Sequence, residues 1–409
     1  MITNTFYLAW RYLRFHRVKS VILVACLTST FLLPITVHLL VRYYNEALLD
    51  RAESTPLLIG ARGNRFDLVL KALYFATDYD DHVSMADVET VRDRDYGTPI
   101  PLYIRYTAHG HRDASAPNDV TVGERAPVVG TTLAYFEHRG LEIASGIRPL
   151  VLGDAVLGAS AAEALGVRVG DAVVSDPDGF YDVARSFQLK MPVVGILSPA
   201  GSPDDHAVFV DVKTAWIIDG IGHGHDDLEK TGDPIVVDVS QSDSGNIVAT
   251  PRLARYREIT AENRDSFHFH GDPQTYPLTA VLLFPEGERG HVKAVGRFKT
   301  HDDRQIVVPR AIVEELMSIV FRIKRFFDAN FALVSVTTAL FLTLVILLSL
   351  RLRKREMETL RRIGCASGTV FWLQTWEIAL VAGFSLLLAA GVASVAVIVV
   401  PKFTQFLQM

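Results

Sequence analysis

Hydrophobic and polar positions divide the chain into three long apolar runs and one large segment of mixed pattern. The apolar runs cover residues 21–41, 331–350 and 375–400. A transmembrane helix needs roughly 20 mainly apolar residues. The run 331–350 holds thirteen Leu, Ile, Val and Phe side chains and no charge, so it is the strongest candidate for insertion. The pattern therefore predicts three spans, and a large domain between the first and the second.

The segment 42–308 predicts an α+β domain, because short apolar stretches alternate with helical stretches and are separated by glycines. "AVLGASAAEALGVRVGDAVV", for example, indicates a helix followed by a strand. Residues 219–275 are rich in Gly, His, Asp and Pro and predict a loop-rich part or subdomain. Residues 309–330 place isoleucines and leucines on one helical face and predict a stalk helix that leads into the second span.

Residues 1–20 predict an amphipathic helix on the inner membrane surface, with Phe6, Trp10 and Leu13 on one face. A cytoplasmic extension of the first span is the alternative. The run 21–41 is longer than the apolar core of a signal peptide, and no small-residue cleavage site follows it. We therefore expect a retained anchor.

Charge sets the predicted orientation. Residues 1–20 and 351–374 carry +4 each, and the chain carries −5 in all, so the remainder carries −13. Basic segments stay in the cytoplasm, which places 42–308 and the tail 401–409 outside. An acidic exterior argues against nucleic acid as a partner. The two cysteines, Cys26 and Cys365, fall in predicted membrane and cytoplasmic segments, so the outer domain must fold without disulfides.

The segment 351–374 is too long for a simple connection between two antiparallel spans. Its sequence "EMETLRR" favours a helix, and Gly364 can end that helix. A helix whose basic side chains bind anionic headgroups is one reading, and a helix that docks into a partner protein is the other.

The sequence "KREMETLRRIGCASGTVFWLQTWEIALVAG" resembles the loop that follows the second span in the MacB, FtsX and LolC superfamily of ABC transporter permeases. The layout of one span, a large outer domain and then further spans is also similar. The resemblance implies that a coupling helix contacts a separate cytoplasmic ATPase subunit. The residues that it assigns to coupling are Glu356, Leu360, Arg361, Arg362 and Gly364.

The same resemblance implies a multi-pass subunit of a bacterial inner membrane with its large domain in the periplasm. It implies a homodimer or heterodimer of such subunits and a role without enzymatic activity of its own. ATP acts through the ATPase partner, since the chain has no G-x-x-x-x-G-K-[ST] motif and no catalytic constellation. Members of the superfamily normally have four spans, whereas this chain ends nine residues after Val400. The expectation is either three spans or a fourth that lies outside this sequence.

Two further features bear on chemistry. Glu377, at the mouth of the third run, is expected to pair with a basic residue nearby, and the alternative is a functional acid within the membrane. Histidines in the sequences "GHGHDD", "FHFHGD" and "DDHAVF" could bind zinc, because residues two apart in a strand face the same side. The candidate ligands are His206, His223, His225, His268 and His270. A solvated loop is the alternative.

The sequence thus favours a subunit that couples ATP hydrolysis by its partner to a conformational change of its periplasmic domain, for export, for lipoprotein or peptide handling, or for metal-linked transport. Membrane lipids and a periplasmic protein are further expected partners. One alternative is a regulatory scaffold of the FtsX kind, which activates an external cell-wall hydrolase. Another is an anchored periplasmic binding protein without an ATPase.

Overall fold

The computed structural model describes residues 2–111, 124–147, 151–176, 188–224, 257–352, 358, 359, 362 and 367–407. Two compact units are present. We call Met1–Ala47 with Met317–Met409 the helical unit, and Leu48–Leu316 the outer unit.

The helices are α1 (Ile2–Phe15), α2 (Arg17–Glu53), α3 (Arg65–Tyr74), α4 (Met85–Asp93), α5 (Leu133–Arg139), α6 (Ala159–Ala164), α7 (Val212–Ile218), α8 (Gly287–Lys299), α9 (Pro309–Leu352) and α10 (Ser367–Leu407). The first eight strands are β1 (Leu57–Ala61), β2 (Val83–Ser84), β3 (Gly97–Leu102), β4 (Thr107–His111), β5 (Arg125–Thr131), β6 (Ile143–Gly146), β7 (Ala155–Leu157) and β8 (Ala172–Ser175). The others are β9 (Leu189–Leu197), β10 (Val208–Asp211), β11 (Gly222–Gly224), β12 (Arg257–Glu258), β13 (Phe267–Phe269), β14 (Pro277–Leu278), β15 (Ala280–Pro285) and β16 (Arg304–Val307).

The predicted spans compare with these helices as follows. Two of the described helical segments, Arg17–Glu53 and Phe371–Val397, are long and apolar enough to cross a membrane. The predicted stalk and the predicted second span, 331–350, form one continuous helix, α9. The third run continues as helix to Leu407 instead of ending at residue 400. Three spans stay a prediction.

Helix α10 packs in the helical unit through a ridge of residues four apart. Val381, Ser385, Ala389 and Ala393 are all buried, the last three completely. Residues at this spacing lie on one helix face, and small side chains let neighbouring helices approach closely. Ser385 Oγ accordingly donates to the carbonyl oxygen of Val24 on α2 (3.3 Å).

Helix α1 packs against the same helix. Its Phe6 ring meets the Trp376 ring edge-on at a centroid distance of 5.3 Å, and its Ala9 is fully buried. The helix stops at Phe15, and α2 begins at Arg17. Within the segment 1–20, residues 2–15 thus form a helix of their own, and residues 17–20 are the first turn of α2.

The outer unit contains two main sheets. One has the order β16-β1-β15-β3 and is antiparallel throughout. Its edge strand β3 carries Pro99 and Pro101. In the other sheet, β9 pairs with β7 and also with β8, so that β9, β7, β10, β5, β4 and β8 form a closed ring, with β12 and β6 added on β9.

The core of the outer unit is built from the inward faces of both sheets and the helices on them. Completely buried side chains include Leu57 of β1, Leu283 of β15 and Val208 of β10. Around Phe209 of β10 the rings of Tyr135 and Phe136 pack at centroid distances of 5.6 and 5.3 Å. This aromatic cluster lies beside the polar network described next.

Candidate functional site

A buried ion pair holds the last turn of α2 in the outer unit. Arg51 is only 7% exposed and Asp204 only 1%. Arg51 Nη1 donates to Asp204 Oδ2 (2.6 Å) and Nη2 donates to Asp204 Oδ1 (2.7 Å), which is a bidentate pair. Nη2 also donates to the Tyr135 hydroxyl (2.8 Å), and Nε donates to the carbonyl oxygen of Leu73 (3.2 Å). The guanidinium is therefore fixed in position and in orientation.

The carboxylate of Asp204 is equally well held. The Tyr135 hydroxyl donates to its Oδ1 (2.6 Å), and Ser202 Oγ donates to its Oδ2 (3.1 Å). Asp204 lies in a 3₁₀ turn, Pro203–His206. The next residue, Asp205, accepts from the backbone N–H groups of Ala200 and Gly201 (2.8 and 2.7 Å). The Asp205 carboxylate thus shapes the turn, and the Asp204 carboxylate binds Arg51.

Arg139 of α5 holds the residues that follow α2. Its Nη1 donates to Ser54 Oγ and its Nη2 donates to Thr55 Oγ1, both at 2.7 Å. The guanidinium lies 5.7 Å from the centroid of the Tyr135 ring. Burial, and then the nearby positive charge of Arg51, lower the pKa of Arg139. Burial raises the pKa of the Tyr135 hydroxyl, so this hydroxyl keeps its proton at neutral pH and can donate to Asp204.

The first turns of α9 are held in the same unit. Ile312 and Val313 are buried, Arg310 pairs with Glu53 of α2, and Glu315 Oε1 accepts from Arg65 Nη2 of α3 (2.8 Å). Both of these ion pairs are about half exposed, so solvent screens them and each contributes little to stability. The apolar contacts of Ile312 and Val313 therefore contribute most of this attachment.

Buried contacts thus hold one end of each of two helices within the outer unit: the last turn of α2 and the first turns of α9. The pair Arg51–Asp204 is a strong positional constraint, since removal of one partner of a buried pair leaves the other charge unpaired and costs about 3–5 kcal/mol. We refer to Arg51, Asp204, Tyr135 and Arg139 as the helix anchor.

Most of the predicted coupling residues lie outside the described residues. These are Glu356, Leu360, Arg361 and Gly364. Arg362 is described, and it is helical and exposed. The coupling role of all five stays a prediction.

Glu377 lies in α10 with its carboxylate 15% exposed. The Lys19 Nζ atom of α2 lies 3.9 Å from Glu377 Oε1. The basic neighbour that the sequence led us to expect is thus Lys19.

The structure places two of the five predicted metal ligands in one small sheet, and a third, His270, directly follows that sheet. His223 of β11 stands opposite His268 of β13 in the antiparallel register, and the His268 and His270 rings lie 4.6 Å apart between centroids. His206 belongs to the 3₁₀ turn beside Asp204, where burial lowers the pKa of its imidazole. His225 lies outside the described residues. Among the residues that the structure describes, no three His, Cys, Asp or Glu side chains are grouped so that they could hold a metal ion.

Sequence reasoning did not find the helix anchor. Arg51 is separated from Tyr135 by 84 positions and from Asp204 by 153. No motif spacing connects residues so far apart. The single available signal is an arginine two residues after the apolar pair Leu48 and Leu49, near the end of a helix.

Comparison with known proteins gives likenesses to solved structures alone. No family model and no curated protein matches the chain. The periplasmic region of MacB from Actinobacillus actinomycetemcomitans is similar over 66% of this chain and 97% of that one, at 12% identity and a TM-score of 0.35. The extracellular domain of the noncanonic ABC-type transporter YknZ from Gram-positive bacteria is similar over 61% of this chain and 98% of that one, at 10% identity and a TM-score of 0.34.

A domain of a proposed permease protein from Porphyromonas gingivalis is similar over 61% of this chain and 85% of that one, at 11% identity and a TM-score of 0.27. All three are outer domains or parts of transporter-type proteins by their descriptions. At this level of identity and superposition, the likeness establishes neither a shared activity nor a shared partner.

Proposed function

We propose that the chain is the membrane subunit of an ABC transporter of the MacB, FtsX and LolC kind, located in a bacterial inner membrane. In this proposal a separate cytoplasmic ATPase hydrolyses ATP, and the subunit passes the resulting movement to its outer unit in the periplasm. The sequence of the segment 351–374 and of the start of α10 supports the proposal. So does the presence of two described helices that are suited to cross a membrane.

The helix anchor is the observation that carries the proposal. Helices α2 and α9 are unbroken from their apolar segments to residues that are fastened within the outer unit. A helix transmits a displacement only if its end is fixed, and the bidentate pair of Arg51 with Asp204 fixes the end of α2. Both members of the pair are buried and hydrogen-bonded to each other, which supports a positional role.

Coupling also requires an element with two states whose equilibrium the ATPase changes. In the proposal, the basic helix within 351–374 binds the ATPase, and closure of the ATPase around ATP shifts α9 and α10. Because α9 continues to Pro309, the shift would reach the outer unit through the buried contacts of Ile312 and Val313.

Capture of the ATPase tests this proposal. The tagged full-length protein is solubilised gently from its native host, and the captured proteins are identified by mass spectrometry. We expect a nucleotide-binding subunit with the wild type, and its loss with the charge-reversed variant Arg361→Glu/Arg362→Glu. The matched control is Arg297→Glu/Lys299→Glu, which reverses two exposed charges at the end of α8 in the outer unit.

Two results would contradict the proposal. Recovery of the wild type without any nucleotide-binding subunit would favour an anchored binding protein. Undiminished capture by the variant Arg361→Glu/Arg362→Glu would show that the ATPase does not dock on this helix.

A further inference from the structure

A groove of about 840 Å³ opens in the helical unit where α1 meets α2 and α9 passes nearby. Its walls are formed by three groups of residues. His16, Arg17 and Lys19 are polar and basic, and Phe15 and Val18 stand beside them. Ile22, Leu23 and Cys26 of α2 continue the groove along the helix, and Thr338 and Phe341 of α9 form the other wall.

The groove is polar at one end and apolar along its length. Arg17 is exposed, and its Nε donates to the carbonyl oxygen of Arg14 (3.2 Å), which directs the guanidinium toward the elbow between α1 and α2. Lys19 is shared with Glu377 of α10. The apolar part includes Ile22 and Phe341, which are 62% and 58% exposed. An amphipathic molecule with a negative head therefore matches both the basic end and the apolar length of the groove.

The position of the groove along α2 identifies that molecule further. The basic end precedes residue 21, where the first apolar run begins, so it falls at the predicted cytoplasmic boundary of the membrane. The apolar part falls within the run itself. Basic pockets between transmembrane helices on the cytoplasmic side are a recurrent site for anionic lipid headgroups. A volume of this size also lies within the range of protein sites for small molecules.

We propose that this groove binds one anionic phospholipid of the inner leaflet. The phosphate lies against Arg17 and His16, with Lys19 at its side, and one acyl chain follows Ile22 and Leu23 toward Phe341. The proposal goes beyond the coupling function and does not depend on an ATPase. It assigns to the elbow between α1 and α2 a lipid that fills the space between α2 and α9.

The test uses native mass spectrometry of the full-length protein. The protein is equilibrated in micelles that contain phosphatidylglycerol and phosphatidylcholine of identical acyl chains, and the bound lipid is counted. We expect one phosphatidylglycerol to be retained in preference to phosphatidylcholine. Because each basic side chain near an anionic headgroup changes binding by about five-fold, Arg17→Gln should reduce the preference by about that factor.

Two further variants make the result specific. Arg42→Gln removes an exposed arginine from the same helix, far from the groove, and should leave the preference unchanged. Ile22→Trp narrows the groove without a change of charge, and should reduce the retention of the lipid itself. The second variant separates a lipid in the groove from lipids that merely surround the helices.

Several outcomes would overturn the proposal. Equal retention of the two lipids by the wild type, or equal effects of Arg17→Gln and Arg42→Gln, would show that the groove does not select an anionic head. Unchanged retention in Ile22→Trp would place the lipid elsewhere. A dimer that carries no lipid, and that Ile22→Trp dissociates, would show that a second copy of the chain occupies the groove.

Discussion

Replacement of Arg51 by methionine tests the helix anchor directly. Methionine keeps much of the length of the arginine side chain and removes its charge and its donors. Asp204 then stays buried, at 1% exposure, with the hydroxyl groups of Tyr135 and Ser202 as its remaining side-chain donors. A buried charge without its counter-ion costs about 3–5 kcal/mol. In a unit of this size about 1 kcal/mol corresponds to roughly 2–4 °C, so we expect the outer unit to unfold roughly 6–20 °C lower.

Thermal unfolding of the full-length protein in detergent, followed by tryptophan fluorescence, measures this change. Trp216 is a suitable reporter because it is 3% exposed in the outer unit and donates from Nε1 to the carbonyl oxygen of Pro277 (2.8 Å). The control is Arg42→Met on the same helix. Arg42 pairs with Glu46 in an exposed ion pair that solvent screens, so its loss should leave the unfolding temperature nearly unchanged.

The double variant Arg51→Met/Asp204→Leu separates the charge effect from a packing effect. If the unpaired carboxylate causes the loss, removal of that carboxylate should restore a large part of the stability. An unfolding temperature of Arg51→Met equal to that of Arg42→Met would refute the reasoning. So would a double variant whose loss of stability relative to the wild type equals the sum of the losses in Arg51→Met and Asp204→Leu, because the two residues would then act independently.

Three further predictions concern the outer unit. Gly158→Ala should destabilise it by about 1–3 kcal/mol, because the new Cβ would meet the carbonyl oxygen of Asp204 at 2.2 Å. Gly296→Ala, on the open side of α8, should instead stabilise it by up to about 1 kcal/mol, and urea unfolding of both variants measures this contrast. Burial, and then the charge of Arg105, lower the pKa of His82, so the unfolded chain takes up the proton first, and stability should fall as the pH drops below about 6.5. His82→Gln should lessen that fall in urea midpoints measured between pH 7.5 and 5, and an unchanged slope would contradict it. We also propose that zinc binds at the pair of strands β11 and β13, where His223 stands opposite His268. Dialysis of the protein against zinc should then show bound metal that is lost in His223→Ala and in His268→Ala. Metal uptake unchanged in both variants would contradict this proposal.

Long apolar runs made the long helices α2, α9 and α10 predictable. A run of about twenty apolar residues has few alternatives to a spanning helix. The break at His16 was less accessible, because the sequence on both sides of it favours a helix and a single turn residue leaves little trace in the pattern. The sequence predicts one continuous apolar face along the stalk helix. In the structure Ile312 on that face is buried, whereas Ile319 and Ile323 are 49% and 56% exposed. Periodicity reports which side chains are apolar, but not where along the helix a partner is present.

The outer unit shows the same limit more clearly. Alternation of short strands and helices indicated an α+β domain, but the closed ring of strands depends on pairings between strands distant in sequence, β5 with β10 and β4 with β8. The helix anchor depends on contacts of the same kind. Glu377 is an intermediate case: its position at the start of an apolar run indicated that a base must be near, and the fold decided that the base is Lys19.

The prolines of β3 restrict how the outer unit can be extended by another polypeptide. Pro99 and Pro101 alternate with residues 98, 100 and 102, so the side of β3 that faces away from β15 lacks amide donors at Pro99 and Pro101. On that side the Pro101 carbonyl oxygen already accepts from Thr131 Oγ1 of β5 (3.0 Å). A visiting strand could not complete a ladder there. β16, at the opposite border of this sheet, has no proline between Arg304 and Val307. Any protein that recognises the four-stranded sheet by adding to it would therefore join from one side alone, which gives such an assembly a single direction of growth.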